Sequence, residues 1–515
     1  MRQPRLLAIA AGVAGLAVLA LCRAAMLPGV GYWDTAELQT VGPVLGVAHP
    51  TGFPAWVVLG WLASVVLQPF GDPALRMNLL SGLLVAGAVS VTVVLGRILT
   101  RSTSLGVAAG LGLGTTALVW RIGTFADIHA LHLLLLAGLL LALVAWQRER
   151  ARGGGDRWLV AASAVFGLSL ANHSLTLLLA LPVGLYVLSV ERRLWQRGRL
   201  VALCAGVLIG TAAILYLELP LRGGAFRAPL VYGTPETWDG FRYIVLGEQF
   251  RGSIVDPFGE LSRKLRELVD LAAAQLGPLA GLVPIGFLVT AVREPRYALL
   301  TGLAAAITVF FAASYVNADI GRYYVGPILI AWTWLAILAA AVADAVAGLV
   351  QPRAVDESRA TACDVPAPGL DARPLAALGL AAALLVPTAA DLGSRAAAVD
   401  RSADTSAGQW LDATIDRLEP DAVVISWWSY STPLWYAQHV EGRLPGVLIA
   451  DDRTRLDEQL GEVSDVIQRH LGRQPVYLIR SSAGELRQLA RTYQLDPGPV
   501  PNELVQVVGP LAADG

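Results

Sequence analysis

The sequence predicts an α-helical integral membrane protein of about 11 spanning helices, with a small soluble α/β domain at its C-terminal end. Three observations predict it. Of 515 residues, 55% are hydrophobic and 15% charged, and the mean hydropathy is +0.57, far too apolar for a water-soluble chain of this size. Apolar stretches long enough to cross a bilayer recur between residues 6 and 390. After Asp391 the composition turns polar and carries short β-branched runs. The net charge is −1, the basic residues are nearly all arginine, with Lys264 the only lysine, and they gather in particular loops. That layout offers no surface for nucleic acid, which is not an expected partner.

Short arginine-rich loops belong on the cytoplasmic side, and this orders the spans. Arg2 and Arg5 place the N-terminus inside, so residues 6–26 exit. This stretch is expected to be a retained helix rather than a cleaved signal peptide, because no small-x-small site follows it and Arg23 interrupts. Residues 27–76 then form an external loop, within which 54–70 lie in the membrane interface as a helix bearing Trp56 and Trp61. Counting 54–70 as a span would put Arg97, Arg101 and the cluster Arg148, Arg150, Arg152 and Arg157 on inconsistent sides. The remaining spans are 77–100, 105–120, 128–146, 158–171, 174–190, 200–219, 271–292, 297–313, 324–350 and 375–390. A loop of about 50 residues follows Leu219, and a proline-bearing inner loop (Pro352, Pro366, Pro368, Pro374) precedes the last span.

The chain divides into a membrane domain, 1–391, and an extracytoplasmic domain, 392–515. In the second, strand-like runs at 422–426, 446–450, 475–479 and 504–508 alternate with helical stretches, which suggests a parallel α/β layer. Cys22, Cys204 and Cys363 lie too far apart to imply a disulfide framework.

Polar residues at span ends are costly in lipid, so their side is informative. Asp34, Glu37, His49, Arg121, Asp127, His129, His132, Asn172, His173, Glu218, Arg222, Asp319 and Arg322 all fall at or near outer ends. An active site or a permeation mouth facing outward follows. Asp34 and Glu37 also have the spacing of a capping box opening a helix to about Leu45, and a carboxylate can serve both purposes. Asp127, His129 and His132 invite a metal reading, but at 100 degrees per residue only the two histidines share a helix face, and polar partnership for the external loop is the expected role. No metal or other cofactor is expected. Asn172-His173 reads as a turn between two short helices, with a lining role as the alternative. Gly110-Leu-Gly-Leu-Gly114 follows no strand, so it reads as close helix packing rather than as a dinucleotide loop. Trp427, Trp428 and Tyr430 sit at the C-terminal end of the first strand of the soluble domain, where α/β folds bind ligands, though core packing explains them equally.

Several of these segments carry a resemblance. Asp34-Thr-Ala-Glu37-Leu, Leu45-Gly-Val-Ala-His49-Pro-Thr-Gly52-Phe-Pro54, Pro69-Phe-Gly and Arg76-Met-Asn78-Leu-Leu-Ser81 resemble a family of bacterial membrane proteins related to the eukaryotic transmembrane protein O-mannosyltransferase. The likeness continues through Ala126 to His132, Gly167 to Leu175, Leu219-Pro-Leu-Arg222 and Asp319 to Pro327. It implies a GT-C-class glycosyltransferase, which takes a sugar from a polyprenyl phosphate outside the cytoplasm. It also implies an acidic residue in the first external loop, matched by Asp34, and Asp127 stands where a glutamate is usual.

The expected enzyme moves a sugar, mannose by resemblance, to an acceptor hydroxyl of a protein or an envelope glycan, in a multi-pass protein of the cytoplasmic membrane. The expected catalytic residues are Asp34, Glu37, His49 and Asp127; Arg222, Arg322 and His173 would hold the donor phosphate, since guanidinium pairs bidentately with phosphate. Trp427, Trp428 and Tyr430 would contact the acceptor. The other classes are a transporter or flippase of lipid-linked intermediates, which calls for broken helices or charges at mid-membrane that the pattern does not display, and a non-enzymatic scaffold, which would not need Asp34.

Overall fold

The computed structural model describes residues 2–317, 319–350, 372–496 and 503–511; Cys363 and most of the proline-bearing loop lie outside the described residues. The first half of the chain forms α1 (Arg2–Ala24), α2 (Trp33–Val44), α3 (Pro54–Val66), α4 (Pro73–Thr100), α5 (Thr103–Gly114), α6 (Ala117–Ile122), α7 (Ile128–Arg150) and α8 (Arg157–Asn172). Among the described residues, 8 helices are long and apolar enough to cross a membrane, and α3, α5 and Ser174–Val190 are shorter apolar helices. The molecule is a multi-pass membrane protein. Helix α3 follows a loop and packs on α2 and α4. Of the two tryptophans expected in the interface, only Trp61 is exposed, and Trp56 is fully buried in the core.

Helix α4 is the central strut and packs against α1, α5 and α7. The glycine run of α5 explains how. A Cβ on Gly110 would lie 2.6 Å from Val93 Cγ2 and 3.0 Å from Val89 O of α4; one on Gly112 would lie 2.3 Å from the Trp332 ring, and one on Gly114 would lie 2.6 Å from Val18 of α1. The three glycines admit three different neighbours, which is the close packing expected of this run.

Several expected spans are interrupted, and one of the interruptions borders the site. Residues 105–120 are α5 and α6 joined at Thr115-Thr116, where Thr116 Oγ1 bonds Gly112 O at 2.8 Å and accepts from Trp332 Nε1 at 3.1 Å, while Arg395 caps Thr115 O at 3.2 Å. Freed polar groups thereby find partners inside the protein. Helix α8 ends at Asn172, His173 is extended (φ −157, ψ 137), and a 3₁₀ stretch, Ser174–Leu179, leads into Ala180–Val190. Expected span 271–292 is likewise divided into Leu261–Leu276, a 3₁₀ stretch and Val283–Arg293.

The C-terminal sheet comprises β1 (Val423–Ser426), β2 (Leu448–Asp451), β3 (Val476–Leu478), β4 (Tyr493–Asp496) and β5 (Val505–Pro510), in the order β2-β1-β3-β5-β4. The first three strands are parallel, as expected, but β5 runs antiparallel to β3 and pairs with β4. Strand β4, Tyr-Gln-Leu-Asp, has no apolar run and so no strand signal in the sequence. The helix after β1, Trp428–His439, packs on α2, and Tyr436 OH accepts from Ala74 N–H at 3.1 Å. Farther out, Arg453 lies over the rings of Tyr232 and Tyr243, 4.6 and 4.9 Å from their centroids, and Asp457 accepts from Gly233 N–H at 3.0 Å. The two domains are thus joined by polar and aromatic contacts at one end of the helix assembly.

Candidate active site

Asp34 lies in the first turn of α2, but the helix starts without a side-chain cap: the N-cap is Tyr32, and Trp33 takes a left-handed backbone (φ 58). The capping-box reading therefore fails. A bulky side chain rarely adopts this conformation, and here the Trp33 ring packs edge-on against Trp427 at 5.3 Å. Freed from capping, the Asp34 carboxylate faces Arg322 Nη2 at 3.4 Å and accepts from Trp428 Nε1–H at 3.1 Å. Glu37, one turn further on, is buried and receives His49 twice, from the backbone N–H at 2.7 Å and from Nδ1 at 2.5 Å.

Arg322 occupies the 3₁₀ segment Ile320–Tyr324, just before helix Val325–Val350. Its Nη1 is 3.5 Å from Asp127 and its Nε 3.4 Å from Asp319. Asp319 also receives Arg121 through a bidentate pair of 3.1 and 2.9 Å. One guanidinium therefore sits among three carboxylates. Burial pushes Asp34 up, but the positive charges of His49 and Arg322 and the Trp428 N–H outweigh it, so the carboxyl is held below its usual range. Burial opposes ionisation of Asp127 as well, yet His129 and Arg322 hold it down at about 2. For His49 the desolvation that would lower it is overcome by Glu37, then Asp34, raising it to about 9. The cluster is a set of fixed charges in a poorly hydrated place, where electrostatic interactions are strong.

Exposure separates the roles. The Asp34 side chain is 34% exposed and that of Asp127 is 0%. Asp127 is thus a buried counter-charge, which caps α7 by accepting from His129 N–H at 2.7 Å, rather than a group that reaches a substrate. Glu37, at 2%, likewise acts through His49.

Two cavities meet at this cluster. The smaller, of about 320 Å³, is walled by Leu175, Leu177 and Leu178 of the 3₁₀ stretch, by Leu246, Phe250 and Ile254, and by Phe311. The larger, of about 1110 Å³, opens between the domains and is lined by Tyr32, Trp33, Arg121, Asp319, Arg401, Asp404 and Trp428, among others. Asp34, His49 and Arg322 line both. His173 lines the smaller one; its Nδ1 accepts from Leu175 N–H at 3.0 Å, so in the neutral ring the proton rests on Nε2.

Three expected site residues are placed elsewhere. Arg222 donates to Leu45 O at 2.7 Å and Val44 O at 3.3 Å, so its guanidinium satisfies the last carbonyls of α2 instead of facing either cavity. Trp427 and Tyr430 stand behind the wall, packed edge-on or tilted against Trp33, Tyr32 and Trp410; of the three aromatics expected to contact an acceptor, Trp428 alone lines either of these two cavities. Tyr323 was not anticipated as a site residue, though it lines the smaller cavity and packs 5.4 Å from His129 and 5.8 Å from His173. Its position next to Arg322 in Gly-Arg-Tyr-Tyr was the available signal. Among the described residues, no group of three or more His, Cys, Asp or Glu is arranged to hold a metal ion.

Residues 34–197 match the family model of the protein O-mannosyl-transferase TMEM260 N-terminal domain. Mouse protein O-mannosyl-transferase TMEM260 is 35% identical over 240 residues, which are 45% of this chain and span about a third (32%) of the mouse protein's length. Among solved structures, ArnT from Cupriavidus metallidurans bound to undecaprenyl phosphate superposes with a TM-score of 0.60 at 16% identity, covering 98% of both chains. The archaeal oligosaccharyltransferase AglB from Archaeoglobus fulgidus, in complex with an inhibitory peptide and a dolichol-phosphate, gives 0.52 at 15% identity, over 99% of this chain and 77% of AglB. Residues 34–197 are thus similar to the TMEM260 N-terminal domain, and the chain has the membrane fold seen in ArnT and AglB.

Proposed function

We propose that this protein is a membrane glycosyltransferase that moves a sugar from a polyprenyl phosphate to an acceptor hydroxyl, with inversion, on the outer face of the cytoplasmic membrane. The observation that carries this reading is the position of Asp34 and Arg322 where an apolar cavity meets a wide polar one. A lipid-linked donor needs that division: a dry wall for its tail, a cation for its phosphate and a wet space from which an acceptor arrives. Asp34, ionised and partly exposed, takes the proton of the acceptor hydroxyl as its oxygen attacks the sugar's anomeric carbon. The bond from that carbon to the phosphate oxygen breaks, its electron pair leaves on the polyprenyl phosphate, and Arg322 stabilises the growing negative charge. Glu37 and His49 form the pair beside the base, with His49 fixed at the border of both cavities. His173 offers Nε2–H on the donor side, and Trp428 is the aromatic face on the acceptor side.

Mannose is the sugar that the mouse relative's name supports, and a protein or an envelope glycan is the acceptor class. The lipid ligands in ArnT and AglB support a polyprenyl-phosphate donor in this fold. The test is purified protein in nanodiscs with radiolabelled polyprenyl-phosphate sugars and a cell-envelope extract. Label is expected in a polymeric acceptor, from the mannosyl donor and dependent on Asp34; absence of transfer from every donor sugar tried would set this reading aside.

A further inference from the structure

His129 lies outside the roles given above, and its surroundings are unusual. It stands in the first turn of α7 and is 3% exposed. Its Nδ1 is 2.8 Å from Asp127 Oδ1, the oxygen that also accepts its backbone N–H at 2.7 Å. A carboxylate is acceptor-only, so Nδ1 carries a proton. The other ring nitrogen, Nε2, is buried and has no hydrogen-bond partner among the described residues. Buried polar atoms are rarely left so, and an orphan in a cavity wall marks the place of a ligand or a water. His129 lines the smaller cavity together with Arg322 and His173, whose ring lies 5.1 Å away. His132 makes an instructive contrast: its Nδ1 is also unpartnered, but it does not line that cavity.

We propose that His129 is a donor-phosphate ligand, with Asp127 holding Nδ1–H so that Nε2–H is presented to a phosphate oxygen beside Arg322. The assignment rests on the glycosyl-transfer reading and deepens it by naming a second donor to the phosphate, in place of Arg222. Asp127 stands on one side of the ring and the phosphate on the other, and an acceptor at each nitrogen is matched by an N–H at each. No proton need move: as the sugar leaves, the electron pair that goes to the phosphate oxygen is met by an existing N–H. This also gives the buried Asp127 a task suited to its inaccessibility, since a carboxylate behind a histidine fixes the ring's orientation. The same carboxylate contacts Arg322 at 3.5 Å, so one buried anion orients both cations.

The experiment measures binding of polyprenyl phosphate, without sugar, to the full chain in nanodiscs, with unphosphorylated polyprenol as reference. His129→Asn retains an amide near the Nδ1 position and loses the reach of Nε2, whereas His129→Gln restores a donor near Nε2. The parent is expected to favour the phosphate over the alcohol, His129→Asn to lose at least about tenfold of phosphate affinity with polyprenol binding unchanged, and His129→Gln to recover part of the loss. A parent that binds both lipids equally overturns the donor reading itself and this assignment with it. A parent that discriminates, alongside a His129→Asn variant of normal melting temperature and undiminished phosphate affinity, overturns this assignment alone and leaves Nε2 to a water.

Discussion

At the scale of single residues, the site is a contest between burial and charge, and Asp34 shows how it is resolved. Its carboxylate stays ionised because Arg322, His49 and the Trp428 indole together exceed the desolvation penalty. Asp34→Asn keeps the size and loses the proton acceptor, so transfer is expected to fall by about 10²-fold or more with normal membrane abundance; full activity in that variant would remove Asp34 from the chemistry. Arg322→Lys keeps the charge but loses the planar fork that spans Asp34, Asp127 and Asp319, and donor affinity measured directly is expected to fall about tenfold. Glu37→Gln is read through pH. The folded His49 sits at about 9 against an ordinary 6.5, so its contribution to stability is full below about 6.5 and is lost as pH rises through about 9. Without the carboxylate that loss should begin at lower pH in melting curves taken from pH 6 to 10, and superimposable curves would deny the pair its role. Asp34 was legible as a candidate because an acidic residue in a short external loop is exposed by hydropathy alone. The sequence could not decide between cap and base, because that choice depends on the backbone of Trp33. Arg222 misled because an arginine at an outer helix end looks the same whether it meets a phosphate or the carbonyls of Val44 and Leu45.

At the scale of helices, hydrophobic periodicity located the spans but not their breaks. Ser174–Leu179 is as apolar as the helix that follows it, and nothing in its composition distinguishes 3₁₀ from α geometry; the Asn-His pair gave the turn, and tertiary packing did the rest. The interruption matters because it sets Leu175 and Leu177 in the cavity wall and aims His173 beside His129. Such interruptions were expected of a transporter. Here the break at His173 borders the smaller cavity, and at the break within 105–120 Arg395 and Trp332 complete the hydrogen bonding of Thr115 and Thr116. The glycines of α5, by contrast, were legible as packing from sequence, and the structure supplies their partners. Gly112→Ala would drive a methyl into the Trp332 ring, 2.3 Å from where a Cβ would stand, and disturb the indole's bond to Thr116. A loss of about 1–3 kcal/mol is expected, visible as a lower melting temperature in detergent with the phosphate-binding residues untouched. An unchanged melting temperature would mean that this interface can open at little cost.

At the scale of the whole molecule, two separately readable domains line one cavity, and this no local pattern could reveal. The orientation is the first thing to check: in a cysteine-free background of intact cells, Ala413→Cys is expected to react with an impermeant maleimide and Arg193→Cys to be protected. The reverse labelling would invert the arrangement. The second concerns how the C-terminal domain takes part. The sequence predicts acceptor contacts for it, from Trp427, Trp428 and Tyr430, and the segments of the transferase resemblance all precede it. The structure instead brings Trp428 to Asp34 across 394 positions of chain, with the indole N–H on one carboxylate oxygen and Arg322 on the other. The indole ring also packs edge-on to His49 at 5.5 Å and to Tyr232 at 6.0 Å, so its place depends on the domain being seated. The Arg453 clamp on Tyr232 and Tyr243 supplies that seating. Trp428→Phe removes the N–H while keeping an aromatic face, and Asp34 then loses one of the interactions that hold it ionised. Turnover is expected to fall about tenfold, in line with a hydrogen bond to a charged group. The acid side of the pH profile should move to higher pH as well, because an undonated carboxylate protonates more readily. Donor affinity should not change, since Trp428 does not line the smaller cavity. That division separates positioning of the base from a general loosening of the domain, which would weaken acceptor binding without moving the profile. If Trp428→Phe keeps the parent's turnover and pH profile, the C-terminal domain contributes a wall to the chamber and nothing to its base.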